Sequence, residues 1–317
     1  MSRIFDALQR SGVEESGVEY PDLISVVSEV FEAKKAPTVT KEGGVPLPEF
    51  DLPAINLQAE TAATEELVPE RPITQDLREF PVLTVSLTTS SRLVFFTEPD
   101  SLAAEKLRFL GVRLRHMQQT KAIKKLLVTS TIPEEGKSFI AGNLAGVLAR
   151  RKQKVLLIEG DLRRPTLTQQ FGLGQVSGLG EWLQGNYPTV SNLYRLNGPG
   201  FWLMPAGTPP SNPLELMQSG NLSRMMSQLA TMFDWIIVDS PPLLPLADTT
   251  VWARMTDGVL LVARQGVTQK AMLQRGLETI KKSELLGVVM NGCTDSTVRD
   301  YYQAYVGTGT KTGTRSK

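Results

Sequence analysis

Residues Leu126-Leu-Val-Thr-Ser-Thr-Ile-Pro-Glu-Glu-Gly-Lys-Ser138 carry an apolar run into a Gly-Lys-Ser turn, and a helical stretch from Phe139 to Arg151 follows at once. A buried-type strand that feeds a loop and then a helix N-terminus is the setting in which main-chain amides gather phosphate oxygens. There Gly136 lets the backbone approach an anion, Lys137 neutralises the outer phosphates of a nucleotide, and the Ser138 hydroxyl is a hard oxygen ligand for Mg²⁺. Glu135 and Phe139 flank the turn, so the expected nucleotide-binding loop runs from Glu135 to Phe139. Thr131 departs from the usual G-x-x-x-x-G-K-[ST] pattern, which has its first glycine at that position.

Working outward, the chain alternates helical stretches with short apolar runs, as a parallel α/β sheet requires. The expected strands are Lys125–Thr129, Val155–Glu159, Trp235–Asp239, Gly258–Ala263 and Leu286–Met290. Helices are expected over Leu102–Met117, Phe139–Arg151 and Leu214–Met232. Ligands collect at the carboxyl ends of such strands, and two of these ends carry acids. Val155-Leu-Leu-Ile-Glu-Gly-Asp161 brings Glu159 and Asp161 there, and Phe233-Asp-Trp-Ile-Ile-Val-Asp239 ends in an acid just before Ser-Pro-Pro242. Ser138, Glu159, Asp161 and Asp239 are therefore the candidate metal ligands, and Asp161 is the candidate acceptor of a proton from an attacking hydroxyl. Arg163 and Arg164 either steady phosphate charge, grip an acidic partner, or are simply solvated. Asp248 reads as an ordinary helix N-cap. Asn291 ends the last strand in an amide that either meets an adenine edge or caps a turn. Tyr301, Tyr302 and Tyr305 lie in a polar segment flanked by Gly and Thr, and are either phosphate acceptors or an incidental aromatic cluster.

Composition narrows the classes. The 317 residues suffice for one sizeable core plus extensions. Near neutrality conceals two unlike parts, for residues 1–80 hold 16 acidic and 7 basic side chains, a net of −9, which leaves +10 for residues 81–317. The first part, punctuated by Pro21, Pro37, Pro46, Pro48, Pro53, Pro69 and Pro72, reads as a disordered acidic linker with short helices at Arg3–Arg10 and Leu23–Glu32. Residues 81–295 form the folded domain, and residues 296–317 form a tyrosine-bearing tail that should be mobile. A modestly basic domain suits nucleotide phosphates or acidic partners, and it lacks the clustered stripe of a nucleic-acid binder. Cys293 and His116 are the only residues of their types, which excludes an internal disulfide and a Cys/His zinc site. With no signal-like segment and no long apolar run, a cytoplasmic chain that reaches the membrane through a partner is expected.

Taken together these segments resemble the bacterial tyrosine kinases of polysaccharide synthesis, the BY-kinases, relatives of the MinD/ParA P-loop ATPases. The resemblance rests on Thr129–Ser138, Leu157–Pro165, Pro205-Ala-Gly-Thr-Pro-Pro-Ser-Asn-Pro-Leu-Glu215, Val238-Asp-Ser-Pro-Pro242 and Leu286–Gly292. It implies a P-loop NTPase fold, mainly a parallel sheet with helices on both faces. It further implies ATP and Mg²⁺ as cofactors, Lys137, Asp161 and Asp239 as catalytic residues, and autophosphorylation of the tail tyrosines by a neighbouring subunit. Partners implied are a separate transmembrane activator or polysaccharide co-polymerase, a cognate phosphatase, and further copies of the chain in a ring or dimer. Three departures stand out. Glu159 replaces the first acid of an Asp-x-Asp strand end. Ile132 stands where MinD/ParA ATPases carry a second lysine, which favours the kinase branch over a nucleotide switch without kinase activity. In the Glu-x-x-Arg-x-x-Arg pattern of the self-association helix, Glu105 and Arg108 match but Gly111 replaces the second arginine.

Overall fold

Alternation of side chains along each apolar run divides the interior into two cores, one on each face of a single sheet. Leu127, Leu156, Ile158, Ile236, Val238, Val259 and Leu261 point into one. Leu126, Val128, Val155, Leu157, Trp235, Ile237, Leu260 and Val262 point into the other. The computed structural model describes residues 77–85, 87, 91–185, 192–244, 246–281 and 284–293. Residues 1–76 of the expected acidic linker with its two short helices, and the tail with Tyr301, Tyr302 and Tyr305, lie outside the described residues, whereas the linker's last residues belong to the fold: Phe80 is buried in the first core and Leu77 packs against it.

Eight strands are present among the described residues: β1 Val82–Thr84, β2 Lys125–Ser130, β3 Val155–Glu159, β4 Tyr194–Asn197, β5 Trp202–Met204, β6 Trp235–Asp239, β7 Gly258–Arg264 and β8 Leu285–Asn291. Their order across the sheet is β1-β4-β5-β3-β6-β2-β7-β8. Every pairing is parallel except β4 with β5. The five expected strands all form. Parallel strands buried on both faces read as continuous apolar runs, and Val155–Glu159 and Trp235–Asp239 are buried at every residue. The three strands without a forecast, β1, β4 and β5, are only three or four residues long and lie together at one side of the sheet.

The helices of the described residues are α1 Val94–Thr97, α2 Leu102–Thr120, α3 Lys137–Ala149, α4 Leu167–Gln170, α5 Leu179–Gln184, α6 Pro213–Gln218, α7 Asn221–Met232, α8 Asp248–Met255 and α9 Lys270–Thr279. Side chains of α1 to α4 or of the turns that follow them enter the second core, whereas α5 to α9 cover the first. The single helix expected over Leu214–Met232 is a correction: it breaks into α6 and α7 at Ser219-Gly220, where Gly220 takes a left-handed φ of 78°. Helical periodicity continues through such a break, but the chain direction does not.

Helix α3 is apolar almost all round because it is enclosed between the sheet and α2. Beyond its first turn the one large polar residue, Asn143, accounts for itself by pinning the chain before α2. The Asn143 Oδ1 accepts from Phe95 N at 2.9 Å, and its Nδ2 donates to Arg92 O at 3.1 Å and to Phe139 O at 2.8 Å. Asn143→Leu keeps the volume but strands buried backbone groups, and should lower unfolding stability by about 2–3 kcal/mol in denaturant titrations. Asn143→Asp, which preserves the acceptor for Phe95 N, should retain part of that loss.

Candidate active site

Parallel pairing brings the carboxyl ends of β2, β3, β6, β7 and β8 to one edge, and each delivers a site residue there. The loop after β2 leads to Gly136, the N-cap of α3, whose φ of 98° is left-handed. A Cβ at that position would sit 2.1 Å from Asn291 Nδ2, so both conformation and space demand glycine. Glu134, just before, also has a positive φ of 66°, a conformation costing on the order of 1 kcal/mol for a residue with a side chain.

Several groups hold this strained loop. Buried Glu135 accepts from Thr131 N at 2.6 Å and Ile132 N at 2.9 Å, and from the hydroxyl of Thr268. Burial pushes the Glu135 carboxyl up, and the bonds from Thr268, Ile132 and Thr131 offset part of that push. Asn291 Nδ2 donates to Glu135 O at 3.0 Å, and Arg264 Nη1 to Glu134 O at 3.1 Å. Of the forecast nucleotide-binding residues, Glu135 and Asn291 thus brace the loop from behind. Phe139 lies in the first turn of α3 and packs against the second core. Thr131, in place of the usual first glycine, is absent from the positive-φ residues, so its backbone needs no glycine here.

Lys137 lies at the start of α3, with Nζ 3.1 Å from Asp161 Oδ2 and 3.5 Å from Ser138 Oγ. Burial lowers its pKa, but Asp239, Asp161 and Glu159 outweigh that effect and raise it on balance. It is therefore a firmly charged ammonium. Ser138 Oγ is 3.1 Å from Thr166 Oγ1, a neighbour no local motif announced. Asp161 Oδ1 accepts from Arg164 N at 3.0 Å, which fixes the carboxylate toward Lys137.

Asp239 pairs in register with Glu159 on β3 and Val128 on β2. It is 1% exposed, and its Oδ1 has no hydrogen-bond partner. Burial raises its pKa to about 6, with Lys137 and Ser138 offsetting only part of the desolvation. A buried carboxylate oxygen without a donor, beside a serine hydroxyl and an ammonium, fits a divalent cation that keeps most of its waters. Among the described residues no cluster of three or more His, Cys, Asp or Glu side chains forms a protein cage for a metal ion.

Glu159, the other forecast ligand, is fully buried and turned to its own backbone. Its Oε1 accepts from Leu167 N at 2.6 Å and Thr168 N at 3.3 Å, and its Oε2 from the Thr168 hydroxyl and from Ala206 N at 3.1 Å. The longer side chain joins three chain segments behind the site. Asp248 is a correction, because the N-cap of α8 is Ala247 and Asp248 is the first helical residue. Its buried carboxylate takes a two-pronged pair from Arg163, Nε–Oδ2 at 2.6 Å and Nη2–Oδ1 at 3.2 Å. Trp252 Nε1, one helical turn on, donates to Gly160 O at 3.1 Å. Helix α8 thereby clamps the loop that carries Asp161.

Asp239 binds a proton more tightly in the folded chain than at its ordinary value of 3.8, so its contribution to stability falls as pH rises from about 4 to about 6. Asp239→Asn should consequently stabilise the nucleotide-free protein by about 1–3 kcal/mol near pH 7.5, a gain that shrinks toward pH 4.5, as read from denaturant unfolding at both values. Mg²⁺-dependent nucleotide binding by the same variant should be weakened, separating a functional acid from a structural one.

No family model matches the chain. Tyrosine-protein kinase YwqD of Bacillus subtilis (strain 168) is 34% identical over 202 residues, covering 63% of this chain and 85% of YwqD. Tyrosine-protein kinase ptk of Acinetobacter johnsonii is 33% identical over 193 residues, 61% of this chain but 26% of that longer protein. Among solved structures, the kinase domain of Escherichia coli tyrosine kinase ETK superposes with a TM-score of 0.60 at 25% identity, over 70% of this chain and 88% of that one. The identity to YwqD over most of its length, together with the shared fold, places the chain in the family of bacterial tyrosine-protein kinases.

Proposed function

We propose that the chain is an ATP-dependent protein-tyrosine autokinase that acts in exopolysaccharide or capsule synthesis or export. The observation that carries this reading is the Lys137 ammonium held 3.1 Å from Asp161 beside the unpartnered Oδ1 of Asp239. Phosphoryl transfer asks a protein mainly for positioning and charge neutralisation, and these three groups supply both. Lys137 and the amides at the start of α3 grip the β- and γ-phosphates. Ser138 and Asp239 hold Mg²⁺, directly or through water, and the ion would neutralise charge on the transferring group. Asp161, the more accessible of the two acids and already oriented by Arg164 N, takes the proton of the tyrosine hydroxyl. Glu159 acts from behind, by holding the backbone at Leu167 and Ala206.

The acceptors are Tyr301, Tyr302 and Tyr305, presented by a neighbouring copy. Each phosphate would add about −1.5 to −2 charge at neutral pH, enough to change how the tail meets its partners. No helix among the described residues is long and apolar enough to cross a membrane. A separate transmembrane activator on the cytoplasmic side, and a phosphatase that resets the tail, complete the proposed cycle.

Purified protein with Mg·ATP and its activator, or at high concentration, should gain phosphate on one or more of these tyrosines in a phosphopeptide map. Lys137→Met should abolish the signal while leaving the fold intact by circular dichroism. Asp161→Asn should lower the rate by about 10²–10⁴ with little change in nucleotide affinity, as expected when a general base is removed. ATP hydrolysis without phosphotyrosine would assign the site instead to a nucleotide-dependent switch.

A further inference from the structure

Helix α4 starts without the help that its first flanking residue could give. Thr166 is the N-cap, a position where a threonine hydroxyl ordinarily accepts from an amide two or three residues on, yet its side chain makes no such bond. The first amides of α4, Leu167 N and Thr168 N, go instead to Glu159 Oε1. A carboxylate at the end of β3 thus does the capping, and the Thr166 hydroxyl is left to donate to Ser138 Oγ at 3.1 Å, across 28 residues of chain. No other bond to this hydroxyl occurs among the described residues, so the lone pairs of Thr166 Oγ1 are unclaimed.

Ser138 gives its own hydrogen to Asp239, so both lone pairs of its oxygen face Thr166, Lys137 and whatever else the site holds. An ion ligated by that oxygen competes with the bond from Thr166, and the Thr166 O–H must then turn aside. Adjacent oxygens around an octahedral Mg²⁺ stand about 3 Å apart, so a hydroxyl 3.1 Å from a liganding oxygen reaches the ion's own shell. Waters on Mg²⁺ are strong hydrogen-bond donors in need of fixed acceptors, and such outer partners hold the first shell in place. Glu159, forecast for that neighbourhood, is consumed by Leu167 N, Thr168 N, the Thr168 hydroxyl and Ala206 N. We infer that Thr166 is a positioning residue of the metal site, its hydroxyl accepting a hydrogen bond from a water on the ion that Ser138 ligates. By capping α4 in place of Thr166, Glu159 frees that hydroxyl for the task. The inference rests on the proposed reading of Ser138 and Asp239 as the Mg²⁺ site, and it adds a residue that the forecast set did not contain.

Calorimetric titration of ADP into the full chain, once with Mg²⁺ and once with EDTA, tests it, because the ratio of the two affinities reads the coupling between ion and nucleotide. Thr166→Val, which keeps the volume and removes the hydroxyl, should cut that ratio about tenfold, the low end of what losing an outer partner does to metal affinity. ADP affinity in EDTA should stay as it was, which also shows that the loop is folded. Thr166→Ala should lower the ratio as Thr166→Val does, and Thr166→Ser, which keeps the hydroxyl, should restore it. A ratio that survives in both Thr166→Val and Thr166→Ala overturns the inference and leaves the metal site standing. An equal fall with and without Mg²⁺ overturns it too, for Thr166 would then only brace Ser138 in the empty loop. An unmodified chain that binds ADP equally well under both conditions removes the Mg²⁺ reading of Ser138 and Asp239, and this inference with it.

Discussion

One ammonium group, that of Lys137, is enclosed at the carboxyl edge of the sheet between the acids of two strands, and the arrangement of that edge follows from keeping it charged there. Desolvating an ion costs several kcal/mol unless nearby opposite charges offset it. Here burial is outweighed by Asp239, Asp161 and Glu159, so the charge persists. The carboxylates are not equivalent. Asp161 is hydrogen-bonded and faces the lysine, Glu159 is consumed by backbone amides, and Asp239 is left with an oxygen that has no donor. The tasks proposed for these three similar side chains, proton acceptance for Asp161, scaffolding for Glu159 and cation binding for Asp239, follow from that inequality.

Phosphate loops must hold amides in a concave conformation that an ordinary chain avoids. This one does so with left-handed residues at Glu134 and Gly136, and the strain is offset by bonds from elements distant in the chain. Arg264 at the end of β7, Thr268 just after it, and Asn291 at the end of β8 all reach the loop. The departure at Thr131 also finds its reason here. The bond from its amide to Glu135 and the acceptance of Leu244 N by its carbonyl at 3.1 Å keep that end of the loop in an ordinary conformation.

The same logic of buried charge extends to the loop that carries Asp161. Arg163 was a candidate for phosphate or partner contact, but its fork is occupied by Asp248, while Trp252 covers Gly160 so closely that a Cβ there would fall 2.8 Å from the indole. The loop that carries Asp161 is thus positioned by packing and a planar ion pair from α8. Gly111 likewise faces inward, where a Cβ would meet Val147 Cγ1 at 2.4 Å, so the position cannot take an arginine without displacing α3. Its difference from the self-association pattern is a packing feature of the α2–α3 contact.

Much of the molecule could be read from residue order alone, and the reasons are local. Strands buried on both faces leave uninterrupted apolar runs, so β2, β3, β6, β7 and β8 were legible, and so were the loops bearing Lys137, Asp161 and Asp239, because strand, turn and helix N-terminus are contiguous. The short strands β1, β4 and β5 at one side of the sheet were not, since three or four residues carry no periodic signal. Nor was the break between α6 and α7, where a helix repeat runs on through a glycine. Above all, pairings such as Arg163 with Asp248, 85 residues apart, or Thr268 with Glu135, 133 apart, leave no trace in any window of sequence. They exist because parallel crossovers return the carboxyl ends of β2, β3, β6, β7 and β8 to the same edge, and which charges then meet in that low-dielectric crevice is settled by three-dimensional proximity.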